Sequence, residues 1–414
     1  MLTIPPREVR SAAGLVRRWR QASDPQELAD TYGELRAAGP LVPTPWRALL
    51  VPGYEDCRQV LTDRTWRTLS ASWRDQHRPG WRESSSTVGL CETPLQQDPP
   101  EHTARRRPLA GILTPRAVGQ LTEARVEPLV DGQVRAFVDR LRREGTADLV
   151  AAVCRPTPTA VLARLLGLPP DTDQAWLTDQ NLALVQAEEL ASPPSAIRRA
   201  DAAATALLAC YDRMLADRRR HPADDILSHW AASEPVSARY LLLTLFSAGV
   251  PTTAALLASL ALALTTRPGL AERILLEPDL TDRFVTEVLR WDAPVRVVTR
   301  VAADETELAG RSLPAGQIVH ALIGAAHRDP EVFTDPHTFR PNRPPRRLLA
   351  LGSGLHYCLG AHLARAQAVA FVRAFARELR GARLAAAPRR QTGPSFIDIT
   401  HLPISASVHH SPAA

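Results

Sequence analysis

The chain has 414 residues, 45% hydrophobic, 23% charged and 5% aromatic, which is enough apolar content for a large buried core and excludes wholesale disorder. All 50 cationic side chains are arginine against 44 acids, so lysine-dependent chemistry, a Schiff base or a P-loop, is excluded. The net charge of +6 is spread rather than blocked and aromatics are few, which points to acidic partners and away from nucleic acid.

In chain order, the first twenty residues carry an arginine every few positions and have no apolar run long enough for a signal peptide. The five cysteines (Cys57, Cys91, Cys154, Cys210 and Cys358) are odd in number, widely spaced and free of any C-x-x-C pair. A disulfide framework or structural zinc is not expected, and a reducing cytoplasm is. Residues 47–51 read as a strand. Residues 116–141 and 196–218 read as helices, rich in Ala and Leu with charges at helical spacing. From 241 to 264 the chain runs 24 residues without a charge, long enough to span a bilayer. It also holds Ser247, Gly249, Pro251, the pair Thr252–Thr253 and Ser259, and ordinary soluble segments flank it. A helix apolar all round also forms the centre of a large soluble fold, and that reading is preferred, with no membrane as partner. Helices are further expected over 280–291 and 361–379, and strands over 295–303, 307–325 and beyond 397. Proline sits at the joints, and there is no repeat or visible linker. The expected architecture is mainly α with small β-sheets, one large domain over residues 1–414 built on a long central helix.

The most informative segment is LGSGLHYCLG, Leu351 to Gly360, just before a helix. Gly352 and Gly354 permit positive-φ turns, and Gly360 permits close approach to a flat ligand. Cys358 at the helix N-terminus is expected to favour the thiolate. A lone cysteine is more often a buried structural residue; the three glycines and His356, two residues before it, reverse that preference.

This segment resembles the cysteine loop of the bacterial cytochromes P450, the haem-thiolate monooxygenases. It matches the family's F-G-x-G-x-H-x-C-x-G except that Leu351 replaces the Phe that packs beside the sulfur. The resemblance extends over nearly the whole chain, with further motifs in the expected order: DPPEHTARRR at 98–107, AGVPTT at 248–253, the E-x-x-R of Glu287 and Arg290, Arg300, and Asn342-Arg343 after Phe339. It implies a haem b cofactor with Cys358 as axial iron ligand, Gly360 against the cofactor, and His102, Arg106, Arg300 and His356 on its propionates. It also implies a structural triad of Glu287, Arg290 and Arg343.

In hydroxylating members the central helix carries A-G-x-(D/E)-T-(T/S), whose acid and threonine relay protons to bound dioxygen. Here the corresponding candidate catalytic positions are Ala248, Gly249, Pro251 and Thr252, with Pro251 at the acid's place. Proline lacks an N–H and crowds the carbonyl of Ser247, so a kink costing about 3 kcal/mol is expected. One reading is that Pro251 merely fixes a kink the family already has. The preferred one is that carboxylate-driven proton delivery is lost, leaving protons to come through Thr252 and water, from substrate, or with peroxide. Oxidative coupling then competes with hydroxylation.

By the same resemblance the pocket roof is the loop from 66 to 97, holding Val88 and Leu90, with Trp66, Trp73 and Trp81 either facing the pocket or anchoring the core. Val295, Val297, Phe396 and Ile397 form walls, and 181–195 a lid. These mostly apolar residues fit a compact, largely neutral small-molecule substrate. There is no G-x-G-x-x-G motif, flavin module or iron–sulfur cysteine cluster, so electrons are expected from a ferredoxin and ferredoxin reductase. Arg105, Arg107, Arg346, Arg347 and Arg365 are either a basic docking face for that partner or simply a solvated arginine surface. The expected function is oxidative tailoring of a small natural product. The alternatives are aryl, C–C or C–N coupling or desaturation without oxygen insertion, for instance of an aromatic cyclic dipeptide, and a non-catalytic haem-binding protein.

Overall fold

Proline and glycine set the limits of the helices that dominate the fold. The computed structural model describes residues 6–405 apart from 23, 24, 191, 234, 345, 392 and 398; both ends of the expected 1–414 unit lie outside the described residues. Pro115 opens a helix whose cap, Thr114, accepts a hydrogen bond from the Ala117 N–H at 3.2 Å. Gly167 (φ 76°) closes Pro156–Leu166 in the left-handed conformation, and a Cβ there would collide with Asp225.

The helices expected over 280–291, 361–379 and 196–218 are Leu280–Trp291, Ala361–Glu378 and Pro194–Arg220. The one expected over 116–141 is three pieces: Pro115–Leu121, a π-helical turn Thr122–Val126, and Glu127–Glu144. Pro128 has no N–H for the Ala124 carbonyl, and the chain widens just before it so that the Glu127 N–H donates to the Thr122 oxygen.

Five short strands form the main sheet in the order Val42–Pro43, Leu49–Val51, Ile318–Leu322, Val297–Ala302, Trp66–Arg67. Leu49 pairs with Val319 in parallel, and Val297 with Leu322 antiparallel. The strand-like run 307–325 is split by Ala309 (φ 52°) and Gly310 (φ 71°), which turn Thr306–Leu308 back on Arg311–Leu313 before Ile318–Leu322 begins. The first helix, Pro6–Gln21, packs Val16 and Trp19 on this sheet against Leu50 and Leu322.

The charge-free run is the core of helix Pro235–Thr265, which is helical straight through Pro251. The apolar window of this helix is 83% buried, with Leu242, Leu243, Phe246, Val250, Leu257 and Leu260 wholly inside, so it is a core helix rather than a span. Each such leucine or phenylalanine contributes about 1.5–3 kcal/mol on burial. It packs against Pro194–Arg220, Ala361–Glu378 and Pro156–Leu166. Between 241 and 261 only Ala248, Gly249 and Thr252 escape full burial. Ala248 and Thr252, at i and i+4, share one face, and Gly249 beside them faces the Leu162 side chain.

Candidate active site

Two left-handed glycines shape the cysteine loop. Gly352 (φ 73°) and Gly354 (φ 64°) turn the chain sharply, and a Cβ on Gly354 would lie 2.6 Å from the Leu61 carbonyl oxygen. The loop closes with the Cys358 N–H donating to the Leu351 oxygen at 2.8 Å, two residues ahead of Gly360, the cap of helix Ala361–Glu378. Gly360 itself has φ −83°, and a Cβ there would meet no protein atom within 4 Å. Nothing in the protein demands a glycine here; its Cβ side faces open space. The helix terminus is expected to favour the Cys358 thiolate, and burial works against it. Burial pushes the thiol above its ordinary range, and the Gly360 N–H and Arg106, which pull the other way, do not offset it. Deprotonation there calls for a bound metal cation.

Against this loop, which itself supplies His356, four basic side chains converge. The His102 ring is buried, 4.5 Å from that of His356 (centroid to centroid), and neither of its ring nitrogens has a hydrogen-bond partner. Arg106 donates from Nη2 to the Tyr357 oxygen at 2.7 Å, and Arg300 from Nη1 to the Thr299 oxygen at 2.8 Å. Burial, with Arg300, His102 and Arg106 beside it, drives the His356 pKa down to about 3. Burial brings Arg300 to about 10 against the pull of Asp98. That acid is already engaged, accepting from the Thr68 N–H and hydroxyl at 3.1–3.2 Å. A buried ring with both nitrogens orphaned costs about 1–3 kcal/mol, so the cluster is complete only with an anionic acceptor.

On the central helix the Thr252 hydroxyl donates to the Ala248 oxygen at 2.6 Å, and the Ser247 hydroxyl is buried without a partner. Pro251 is buried. Val295 and Phe396 meet in an isolated antiparallel bridge, both half-buried like Val88. Leu90 and Ile397 belong to the main core, and Val297 packs with Val16 and Trp19.

The open question of the tryptophans has a structural answer. Trp66 is buried in a strand, Trp73 stacks on His77 with centroids 4.7 Å apart, and the Trp81 Nε1–H donates to Asp75 at 2.9 Å. Trp66 is a core anchor, while Trp73 and Trp81 are half-buried and held by these local contacts. What fastens the helix Ser85–Cys91, expected in the pocket roof, is a clamp that sequence reasoning missed. The Asp201 carboxylate accepts from the Ser84 hydroxyl (2.7 Å), the Ser86 N–H (2.9 Å) and the Ser86 hydroxyl (2.6 Å), tying the roof helix Ser85–Cys91 to Pro194–Arg220. The serine run 84–86 was the available signal, but its partner lies over a hundred residues away. A second missed latch is Glu189, whose carboxylate accepts from the N–H groups of Leu190, Ser395 and Phe396.

Below the loop, Glu287 grips Arg290 at two points, 2.8 Å each, and its Oε1 also accepts the Arg340 N–H at 2.7 Å. The Arg343 Nε lies 3.5 Å from Glu287 Oε2. Arg290 donates onward to the carbonyls of His327 and Pro336, and Arg343 to those of Asp335 and Thr338. One carboxylate thus serves two guanidinium groups in this knot, and the carbonyls take the remaining donors.

A glycine-shaped cysteine loop before a helix, a central helix with Thr252 partly open, and basic side chains converging beside that loop define a haem-thiolate oxidoreductase. The chain belongs to the cytochrome P450 family. The family model "Cytochrome P450" matches residues 236–381. Over 369 residues the chain is 33% identical to the cytochrome P450 monooxygenase PikC of Streptomyces venezuelae, covering 85% of this chain and 83% of that one. It is 32% identical to the mycinamicin IV hydroxylase/epoxidase of Micromonospora griseorubida, covering 86% and 89%. The crystal structure of P450BioI, in complex with an acyl carrier protein, superposes with a TM-score of 0.85 at 24% identity, over 93% of this chain and all of that one, a likeness of fold. The family's haem b fits the residues present: its propionates match the orphaned basic cluster, and its flat ring matches the open side of Gly360.

Proposed function

We propose that this cytochrome P450 oxidises a small, largely apolar natural product in the bacterial cytoplasm, with electrons from a ferredoxin and its reductase. In this reading Cys358 ligates the iron. His102, Arg106, Arg300 and His356 hold the propionates by charge-assisted hydrogen bonds, and Gly360 leaves room for the ring. The bound haem supplies activation of dioxygen.

The chain's own residues select and orient the substrate and govern the protons. Val88, Val295 and Phe396 offer an apolar, half-buried lining that excludes water from an apolar substrate. The Thr252 proton is committed to the Ala248 oxygen, so the hydroxyl is free to accept and thereby to hold a water, rather than to donate outright. Pro251 supplies no acid beside it. Proton delivery therefore runs through a water held at Thr252, and the buried, unpartnered Ser247 hydroxyl stands one turn back on the same helix.

The observation that carries this reading is His102, buried with both nitrogens unpaired among three other basic groups. The similarity to a mycinamicin IV hydroxylase/epoxidase supports the natural-product class. Pro251 favours a second reading, coupling or desaturation, in which the product carries no new oxygen. The test is reconstitution with ferredoxin, reductase and NADPH, followed by mass spectrometry. Gain of one oxygen, the other leaving as water, identifies hydroxylation. Loss of two hydrogens identifies the second reading. A purified protein lacking the reduced carbon-monoxide band of thiolate-ligated haem would overturn both.

A further inference from the structure

A second cavity, of about 550 Å³, opens between the first helix Pro6–Gln21, the start of Pro194–Arg220 and the loop at 391–394. Its lining is unusual in charge. Arg17 and Arg20 stand one turn apart on one helix face, and Arg199 joins them from the second helix. Among the described residues none of the three has an ion pair. Arg20 instead lies over the ring of Trp46, 5.3 Å from its centroid. The single acid in the lining is Glu189, whose oxygens already accept from the N–H groups of Leu190 (2.8 Å), Ser395 (3.1 and 3.2 Å) and Phe396 (3.3 Å). Three guanidinium groups and one carboxylate around one space leave an excess of positive charge that an entering anion would compensate. Their planar forks match the oxygens of phosphate and carboxylate.

The cavity also adjoins the proposed pocket. Its wall at Gly393 and Pro394 continues directly into Ser395 and Phe396, and Phe396 bridges to Val295. We infer that Arg17, Arg20 and Arg199 form a recognition site for an oxyanion, phosphate or carboxylate, at the far end of the substrate. The substrate class is then amphipathic, an apolar end toward Cys358 and an anionic tail at the arginines. This inference rests on the proposed function for the pocket, and it places the anion outside the propionate cluster.

Two measurements test it on the haem-loaded protein. Trp46 is 37% exposed beneath Arg20, so its fluorescence reports an anion at that guanidinium. Pyrophosphate at constant ionic strength should change the emission saturably, with the change lost in Trp46→Phe and in the double variant Arg17→Gln/Arg199→Gln. Both substituted arginines are exposed, so the fold is retained. Second, dodecyl phosphate and dodecanoate should displace the haem absorbance at concentrations about tenfold lower than dodecanol, a ratio set by one or two charge-assisted contacts. In the double variant the ratio should fall to about one while dodecanol binding is unchanged. A wild-type protein that shows no saturable response to pyrophosphate, or an anion advantage that survives the double variant, overturns the inference. Dodecanol binding with no anion advantage leaves the haem pocket standing and removes the anion site. Absence of the thiolate–carbon monoxide band removes the pocket reading, and the fluorescence titration then judges the arginine site alone.

Discussion

Glu287→Gln removes one charge from the buried knot while keeping its shape. Glu287 is 3% exposed and Arg290 2%. In the variant the Gln carbonyl still accepts one donor, but Arg290 keeps a full charge with only the carbonyls of His327, Pro336 and Thr338 around it. Two unit charges about 4 Å apart interact by about 4 kcal/mol at an effective dielectric constant of about 20. Breaking a buried pair from one side costs about 3–5 kcal/mol in practice. The Arg343 contact, at 3.5 Å and from one nitrogen, adds less. A loss of about 3–5 kcal/mol is a large part of the roughly 5–15 kcal/mol that holds a native protein. Urea unfolding followed by circular dichroism and by the haem band should show the midpoint falling sharply, with Arg343→Gln milder. Glu287→Leu/Arg290→Met, which removes both charges, should recover much of the loss, because desolvation is relieved on both sides. An Glu287→Gln protein within about 1 kcal/mol of the parent would refute the claim that charge compensation, rather than shape, holds the knot.

Cys358→Ser should abolish the reduced carbon-monoxide band typical of thiolate ligation while leaving the far-ultraviolet circular dichroism unchanged. Asp201→Ala should loosen the roof, read as faster amide exchange across residues 85–91, with weaker binding of apolar ligands and little change in global stability. Burial works to raise the Asp201 pKa, but hydrogen bonds from Ser86 and Ser84 outweigh it and hold the carboxyl below its ordinary value. A depressed folded value means that the clamp contributes fully above the unfolded carboxyl pKa of about 3.9 and is lost as pH falls through the folded one. Roof protection should therefore be flat from neutral to mildly acidic pH and fail only in strong acid; loss near pH 6 would show that another group controls the roof. Pro251→Glu should raise the fraction of reducing equivalents recovered in oxygenated product, and an unchanged ratio of product to NADPH would show that this position has no part in proton delivery.

Legibility in the sequence followed the range of the interaction. Helices Leu280–Trp291 and Ala361–Glu378 matched their patterns because periodic apolar faces and a proline or glycine at the joint are local signals. The cysteine loop was legible because two positive-φ turns demand glycine at fixed spacing. The break at Thr122–Val126 was not read, although Pro128 was in view, because the apolar period runs through it. Asp201 and Glu189 could not be read at all. Each serves a partner more than a hundred residues off, Ser86 and Ser395 respectively, and an acid on a helix flank has the same local appearance whether solvated or clamping. The thiolate at Cys358 was read from the helix terminus, a real but weak field that burial outweighs.

Charge accounting separates the structural from the receptive parts of this molecule. Half-buried Asp292 lies 3.6 Å from both Arg296 and Arg390 and accepts from the Ser259 hydroxyl at 2.8 Å. Burial works to raise its pKa, and the two arginines more than offset that. Glu287 likewise stands between two arginines, Arg290 and Arg343. Such groups need nothing further, and their removal should register as stability. Two basic clusters break the pattern: His102, Arg106, Arg300 and His356 beside the cysteine loop, and Arg17, Arg20 and Arg199 around the outer cavity. An arginine-only chain cannot relieve such crowding by releasing a proton from lysine, because guanidinium stays charged. The histidines of the first cluster shed their charge on burial, but Arg106 and Arg300 keep theirs, as do the three arginines of the outer cavity, and an anion would compensate them. In the first cluster, the family's haem brings two carboxylates. By the same reasoning the second requires an anion as well, and Phe396, which links the wall of one site to the other, makes the substrate its natural carrier.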